Sequence, residues 1–142
     1  MSSTPTAFVF LCNANTEQEC LDRSLFGTPD GKIHKLYLSR VAVGDQLFLY
    51  NYDTGTLRGP FTAKTACCSN LEPDAFKKMK NRASWQVRVD AAGQYPKPIT
   101  ADDLAELGLL QQAPPLGFLP PSELDSAQVY VLIEAFMRNN SL

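Results

Sequence analysis

Histidine and tryptophan are nearly absent from this chain of 142 residues, which has one of each, His34 and Trp85. A triad of the serine–histidine–aspartate type needs a histidine, so His34 is its only candidate, and its neighbours Ile33 and Lys35 are not acidic. The glycine patterns of phosphate-binding and dinucleotide-binding loops are also missing. We therefore expect no enzyme activity, and we interpret His34 as a surface residue.

The four cysteines lack the spacing of a disulfide framework or a zinc site. Cys67 and Cys68 are adjacent late in a predicted strand, where alternation places one of them in the core. No segment reaches the length of a membrane span, and the first apolar run is too short for a signal peptide. These absences predict a cytoplasmic protein that binds no metal, cofactor or membrane.

Composition is that of an ordinary globular protein, with 44% apolar and 20% charged residues, and predicts a single domain over 1–142 and a monomer. The net charge of −2 is unevenly distributed. Residues 1–99 carry 12 basic and 9 acidic side chains, whereas residues 100–142 carry one basic and six acidic ones. The densest basic run can contact phosphates or, more ordinarily, form a solvated helix end; it consists of Lys77, Lys78, Lys80 and Arg82.

Hydrophobic patterning predicts an α+β protein. Strands are expected over 7–13, 46–52, 56–67 and 85–91. Helices are expected over 16–24, 72–80 and 100–107 and after Asp125, with 33–39 helical or irregular and 111–121 a surface loop. Thr16 with Glu19 has capping-box spacing, and Thr100 begins a second cap signature. An apolar stripe in the last helix should pack on the sheet; it comprises Val129, Leu132, Ile133 and Phe136. Short strands joined by hairpins favour a small, closed or partly closed β-barrel with flanking helices.

Polar side chains end two strongly apolar strands. Asn13 follows one of them, and Asn51 to Asp53 end the other, positions at which polar groups need partners. A nucleobase is bound by aromatic walls and by fixed donors and acceptors at its edge. The residues that offer these features are Cys12, Asn13, Phe26, Gly27, Tyr50, Asn51, Tyr52, Asp53 and Trp85.

Most of these residues also have an ordinary structural role. Phe26 and Tyr50 suit a core, and Trp85 suits the end of a barrel. Asn51 can bridge the backbone of the hairpin, and Asp53 is a common turn residue. The two interpretations differ in what each side chain contacts.

Five motifs in a fixed order resemble the DCD (development and cell death) domain. They are Phe-Val-Phe-Leu-Cys-Asn at 8–13, Thr-x-x-Glu-Cys-Leu at 16–21, Leu-Phe-Gly-x-Pro at 25–29, Leu-Phe-Leu-Tyr-Asn-Tyr-Asp at 47–53 and Gly-Pro-Phe at 59–61. The similarity extends to Trp-Gln-Val-Arg-Val at 85–89. That family is related to the PUA-like group, which includes the YTH and EVE domains. The resemblance implies a PUA-like, YTH/EVE-related fold.

The resemblance also implies a function, because YTH and EVE domains bind modified nucleobases in a pocket. It places Asn13, Phe26 and 50–52 around that pocket, in a module that binds RNA or DNA carrying a modified base without catalysis. YTH domains usually have tryptophan where Phe26 stands, which leaves the identity of the base open. The alternative is a protein–protein interaction domain in stress or cell-death signalling; an enzyme acting on nucleotides is the least supported.

Overall fold

The computed structural model describes residues 7–29, 36, 38–79, 82–90, 95–114 and 117–141. His34, Lys80 and most of the element expected at 33–39 lie outside these ranges. The strands are β1 (Ala7–Cys12), β2 (Leu25–Thr28), β3 (Gln46–Asn51), β4 (Thr56–Thr62), β5 (Cys68–Ser69), β6 (Trp85–Arg88), β7 (Ile99–Thr100), β8 (Gln111–Gln112), β9 (Phe118–Leu119) and β10 (Glu123–Leu124). The helices are α1 (Glu17–Arg23), α2 (Ala101–Glu106) and α3 (Ser126–Asn139).

Two sheets form most of the α+β fold. The first has five strands in the order β10-β1-β3-β4-β7, and the second has three in the order β2-β6-β5. An antiparallel bridge between Ala63 and Val89 joins them, and beside it the Lys64 amide donates to the Arg88 carbonyl at 2.7 Å. The sheets are thus linked along one side, as in a partly closed barrel. β1 and β3 are parallel neighbours, so their carboxyl ends meet at one edge.

The core consists of two clusters on opposite faces of the first sheet. In β1, Phe8 and Phe10 face one cluster, while Ala7 and Val9 face the other. The second cluster includes Phe136 of α3, whose apolar stripe packs on the sheet as predicted. Burial on both faces explains why the central strands have continuous apolar sequences rather than alternating ones.

Several predicted elements differ from the structure. β2 was not expected, because only Ser24, with a left-handed φ of 51°, separates its first residue Leu25 from α1. β4 ends at Thr62 and not at residue 67. The helix predicted over 72–80 is a series of turns where the structure describes it, and Phe76 within it has a φ of 61°, which no α-helix contains.

The two predicted helix caps had different outcomes. Thr100 forms the predicted cap of α2, in a capping box with Asp103. Thr16 does not cap α1 with its side chain; its hydroxyl contacts Asn13, and Glu19 points to another segment. Within the described ranges, no helix is both long and apolar enough to span a membrane.

Candidate functional site

A cleft of about 650 Å³ opens where β1 leads into α1; we call it the β1–α1 cleft. Its lining residues are Asn13, Asn15, Thr16, Glu19, Pro29, Tyr52, Phe76, Lys78 and Met79. A hollow of about 200 Å³ adjoins it and shares Asn13, Thr16, Pro29, Tyr52, Phe76 and Met79 with it. The other lining residues of the hollow are Leu11, Cys12, Cys20, Gly27, Thr28 and Ala83.

The parallel pairing of β1 and β3 brings Asn13 and Tyr52 together. Cys12 and Asn51 are partners at the end of the pairing, and the Tyr52 amide donates to the Cys12 carbonyl at 3.1 Å. The next side chains therefore meet beyond the sheet edge, where Asn13 Nδ2 donates to the Tyr52 hydroxyl at 3.2 Å. The sequence predicted both residues for the site, and both line the cleft.

Asn13 is held in one orientation by the turn before α1. Its Oδ1 accepts from the Asn15 amide at 2.9 Å and from the Thr16 hydroxyl at 3.1 Å. The Thr16 hydroxyl in turn accepts from the Asn13 amide at 3.0 Å. A backbone N–H can only donate, so Oδ1 is the atom facing the turn and Nδ2 the atom facing Tyr52.

Asn51 and Asp53 hold the β3–β4 turn. Asn51 is 1% exposed, and its Oδ1 accepts from the amides of Asp53 at 2.9 Å and Thr54 at 3.2 Å. Asp53 Oδ2 accepts from the Ala14 amide at 2.9 Å and ties this turn to the β1–α1 turn. Asn51, which was predicted to read a base edge, therefore lies outside the cleft lining, with its amide buried and bonded to the turn. Asp53 supports the cleft from outside its lining.

Phe26 and Tyr50 are buried, and neither lines the cleft. The Phe26 side chain has no exposed surface and packs edge-on against Phe61, with the ring centroids 4.9 Å apart. Tyr50 lies in the core cluster on the opposite face of the sheet, where burial raises the pKa of its hydroxyl. Both were predicted as ligand residues, and the structure places both in the core rather than in the cleft lining. Trp85 is partly buried against the cluster that contains Phe26, outside the cleft lining.

One wall of the cleft is the segment 71–79, in which Lys77 and Lys78 were predicted as phosphate contacts but Phe76 and Met79 were not predicted for the site. Phe76 and Met79 line both the cleft and the hollow, and Lys78 lines the cleft. The available signal was that Phe76 and Met79 are bulky apolar residues within an otherwise charged run. Pro29, inside the Leu-Phe-Gly-x-Pro motif, was also missed.

Ion pairs and hydrogen bonds anchor the segment 71–79. Glu72 accepts from Arg23 at 2.7 Å and from Arg88 at 2.8 Å, and its backbone amide donates to Gln86 at 2.8 Å. Partial burial acts to raise the pKa of Glu72, but the hydrogen bonds from the two arginines outweigh it and lower this pKa. The Phe76 amide donates to Glu19 Oε2 at 2.8 Å, which fixes the backbone at its left-handed residue.

The described residues of the basic run differ in what they contact. Arg82 donates to the carbonyl oxygens of Ala75 at 2.8 Å and Glu72 at 2.9 Å, and also to the Asn70 side chain. Its guanidinium thus holds the wall, contrary to the predicted phosphate contact. Lys77 pairs with the exposed Asp74 at 2.8 Å. Lys78 is exposed and lines the cleft, whereas Lys77 does not.

Gly27 allows the floor of the hollow to pack closely. A Cβ at this position would lie 3.0 Å from both the Cβ and the carbonyl oxygen of Ala83 and 3.1 Å from the Phe76 ring. Those distances are shorter than ordinary contacts, so a side chain here would displace the wall. Gly27 was predicted for the site, and it lines the hollow.

The buried thiols near the hollow are poor nucleophiles. Burial raises the pKa of Cys20 to about 12, and burial together with nearby Cys20 and Glu17 raises the pKa of Cys12 further. Cys67 is buried and Cys68 exposed, as predicted for an adjacent pair, although Cys67 lies outside a strand. Among the described residues, no three metal-ligating side chains cluster.

Solved structures with this fold include two YTH domains. The YTH domain-containing protein mmi1, in a complex with RNA, has a TM-score of 0.58 and 14% identity, covering 96% of this chain and 86% of that one. The YTH domain of Zygosaccharomyces rouxii MRB1, in complex with N6-methyladenosine RNA, has a TM-score of 0.54 and 10% identity, covering 96% and 90%. The chain therefore has the PUA-like fold.

Sequence comparison adds the family. The B2 protein of Daucus carota is 38% identical to the chain over 92 residues, which make up 62% of the chain and 44% of that protein. The chain thus spans less than half the length of this relative. A family model described as the Development and cell death domain matches residues 6–136. That match covers most of the chain, which therefore belongs to the development and cell death (DCD) domain family.

Proposed function

We propose that the chain is an RNA-binding module that takes one modified nucleobase into the β1–α1 cleft and performs no catalysis. The observation that carries this proposal is the cleft itself, at the joined ends of β1 and β3. Its volume of about 650 Å³ lies within the range of small-ligand sites. RNA is favoured over DNA because two of the similar YTH structures are RNA complexes.

The cleft has walls suited to a flat base. The Tyr52 ring and the Met79 side chain are half-buried, so each keeps surface that a base can cover. Stacking on an aromatic side chain contributes about 1–3 kcal/mol per base. Asn13 and Tyr52 supply polar atoms at the same place, and a base requires this combination of flat contact and edge recognition.

The hollow supports a base that carries an additional alkyl group. Its floor is formed by small or apolar side chains, among them Cys12, Cys20 and Ala83, and by Gly27. The two thiols are protonated because burial raises the pKa of each, so they act as neutral, apolar surface. A methyl group bound there is removed from water, and its burial contributes about 0.8 kcal/mol to the binding free energy.

Introducing a negative charge at Met79 should abolish most of the binding. Met79→Glu places a carboxylate where the base and its phosphates would lie, and we expect affinity to fall at least tenfold, or about 1.4 kcal/mol. The measurement is fluorescence anisotropy with oligoribonucleotides that contain adenosine or N6-methyladenosine. Met137→Glu, the same change on an exposed methionine of α3, is the matched control and should bind as the parent does.

The two methionine variants also define failure. Circular dichroism must first show that both are folded. If the parent binds neither oligonucleotide, or if Met79→Glu binds as tightly as Met137→Glu, the cleft is not an RNA site. The family's alternative role, protein–protein interaction in cell-death signalling, would then replace this proposal.

Lys78 provides a separate test of phosphate contact. Lys78→Gln should weaken binding to every RNA alike and reduce the slope of log affinity against log salt by about 0.7 for one lost contact with a single strand. Lys97→Gln, at an exposed lysine away from the cleft, should leave that slope unchanged. If both variants and the parent show the same slope, Lys78 does not contact an RNA phosphate.

A further inference from the structure

The hydroxyl of Tyr52 is only partly engaged in hydrogen bonding within the part of the chain that the structure describes. Its oxygen accepts from Asn13 Nδ2 at 3.2 Å. Its own proton has no acceptor among the residues that the structure describes. Because Tyr52 lines both the cleft and the hollow, the proton is available to a molecule bound there.

Asn13 cannot supply the missing acceptor. Both lone pairs of its Oδ1 are used by the Asn15 amide at 2.9 Å and the Thr16 hydroxyl at 3.1 Å. The backbone N–H of Asn15 prevents the amide from rotating to present oxygen to Tyr52. Two donors of this pair therefore have no acceptor among the described residues, namely the phenolic O–H and the second hydrogen on Nδ2.

We propose that Tyr52 determines specificity by donating its hydroxyl proton to a hydrogen-bond acceptor on the bound base, either an unprotonated ring nitrogen or a carbonyl oxygen. This inference rests on the proposed function and adds which chemical edge of the base is read. A base that presents N–H or C–H at that point leaves the Tyr52 proton unpaired and loses the contribution of one neutral hydrogen bond.

Purine analogues test this proposal directly. The probes are oligoribonucleotides with adenosine or N6-methyladenosine and their 1-deaza, 3-deaza and 7-deaza forms, each of which replaces one ring nitrogen by C–H. The parent should lose about two- to tenfold in affinity for one deaza form, because one neutral hydrogen bond is removed. Tyr52→Phe should lose a similar factor for the natural base and should no longer distinguish that deaza form from it.

Two further variants separate recognition from structural damage. Tyr130→Phe removes the hydroxyl of an exposed tyrosine on α3 and should retain the parent's affinity and discrimination. Asn13→Asp keeps an oxygen toward the turn and places another beside Tyr52, so the phenolic proton turns inward. This variant should lose discrimination among the deaza forms even though the Tyr52 ring remains.

The outcomes distinguish this inference from the proposed function. If the parent binds RNA through the cleft but Tyr52→Phe keeps both affinity and deaza discrimination, the acceptor-reading role is overturned and the RNA site remains. If the parent binds none of the probes, both proposals fail. A Tyr52→Phe variant that loses affinity equally for every analogue, with the parent's discrimination intact, shows a structural role for the hydroxyl and also overturns the inference.

Discussion

Phe26→Ala should lower the free energy of unfolding by about 3–5 kcal/mol, as is typical when a buried phenylalanine is truncated. The side chain has no exposed surface, and its ring packs against Phe61 with the centroids 4.9 Å apart and against Phe10 at 5.9 Å. The free energy of unfolding of an ordinary domain is about 5–15 kcal/mol, so this loss is a large part of the total. Urea denaturation of parent and variant measures it.

Phe118→Ala provides the control, because Phe118 is 56% exposed in β9 and its truncation should cost far less. The comparison also tests the role that the sequence suggested for Phe26. A Phe26→Ala variant that is as stable as the parent, with only RNA binding lost, would show that the ring is a wall of the site after all. A Phe26→Ala variant that is less stable but still binds RNA when folded agrees with a core position.

Glu72→Gln should destabilise the protein and release the wall of the cleft. At neutral pH the Glu72 carboxylate accepts from both Arg23 and Arg88, and its side chain is 22% exposed. Removing its charge takes this counter-ion from Arg88 and leaves Arg23 paired with Glu19 alone. We expect a loss of about 1–3 kcal/mol, less than for a fully buried pair because water screens the arginines. RNA affinity should fall as well, since Phe76, Lys78 and Met79 lie on this segment.

The destabilisation by Glu72→Gln should depend on pH in a defined direction. The arginines lower the pKa of Glu72 below its ordinary value of 4.5. A carboxyl whose pKa is lower in the folded state stabilises the fold above the unfolded value, and this contribution is lost as pH falls through the folded pKa. The difference between parent and variant should therefore be constant above pH 5 and shrink below about pH 4.

Unfolding free energies measured from pH 7 to pH 3 check this dependence. Glu134→Gln, at an exposed residue of α3, controls for removing one negative charge and should stay close to the parent throughout. A gap between Glu72→Gln and the parent that is the same at pH 3 and pH 7 would mean that the ion pairs with Arg23 and Arg88 are not its source.

The elements best predicted from sequence are those with a strong local pattern. β1 and β3 are continuous apolar runs, α1 has acidic residues in its first turn, and α3 has an apolar stripe; each was placed to within one or two residues. β2 was missed because four residues directly after a helix show no period. The parallel pairing of β1 with β3 was missed because it joins segments about 40 residues apart, and no local signal encodes such a pairing.

The site was predicted in part for the same reason. Asn13 and Tyr52 stood out because polar atoms followed buried strands, and the parallel strands bring them together. The sequence could not show whether Phe26 lies in the core or lines a pocket, because aromatic residues are common in both places. Lys77 and Lys78 were predicted from their charge, but Phe76 and Met79 of the same wall were not, because Arg23, Arg88 and Glu19, all distant in sequence, determine its conformation.

The way this wall is anchored has a consequence for which substitutions the cleft surface tolerates. Its anchors are the Glu72 side chain and the backbone amide of Phe76, whereas Lys78 and Met79 supply lining. A backbone amide bonds to Glu19 whatever the side chain at that position. Substitution at 78 or 79 therefore alters the cleft surface without disturbing the attachment. The side chains at 78 and 79 can thus vary while the backbone of the wall, the two sheets and the Asn13–Tyr52 contact stay as they are.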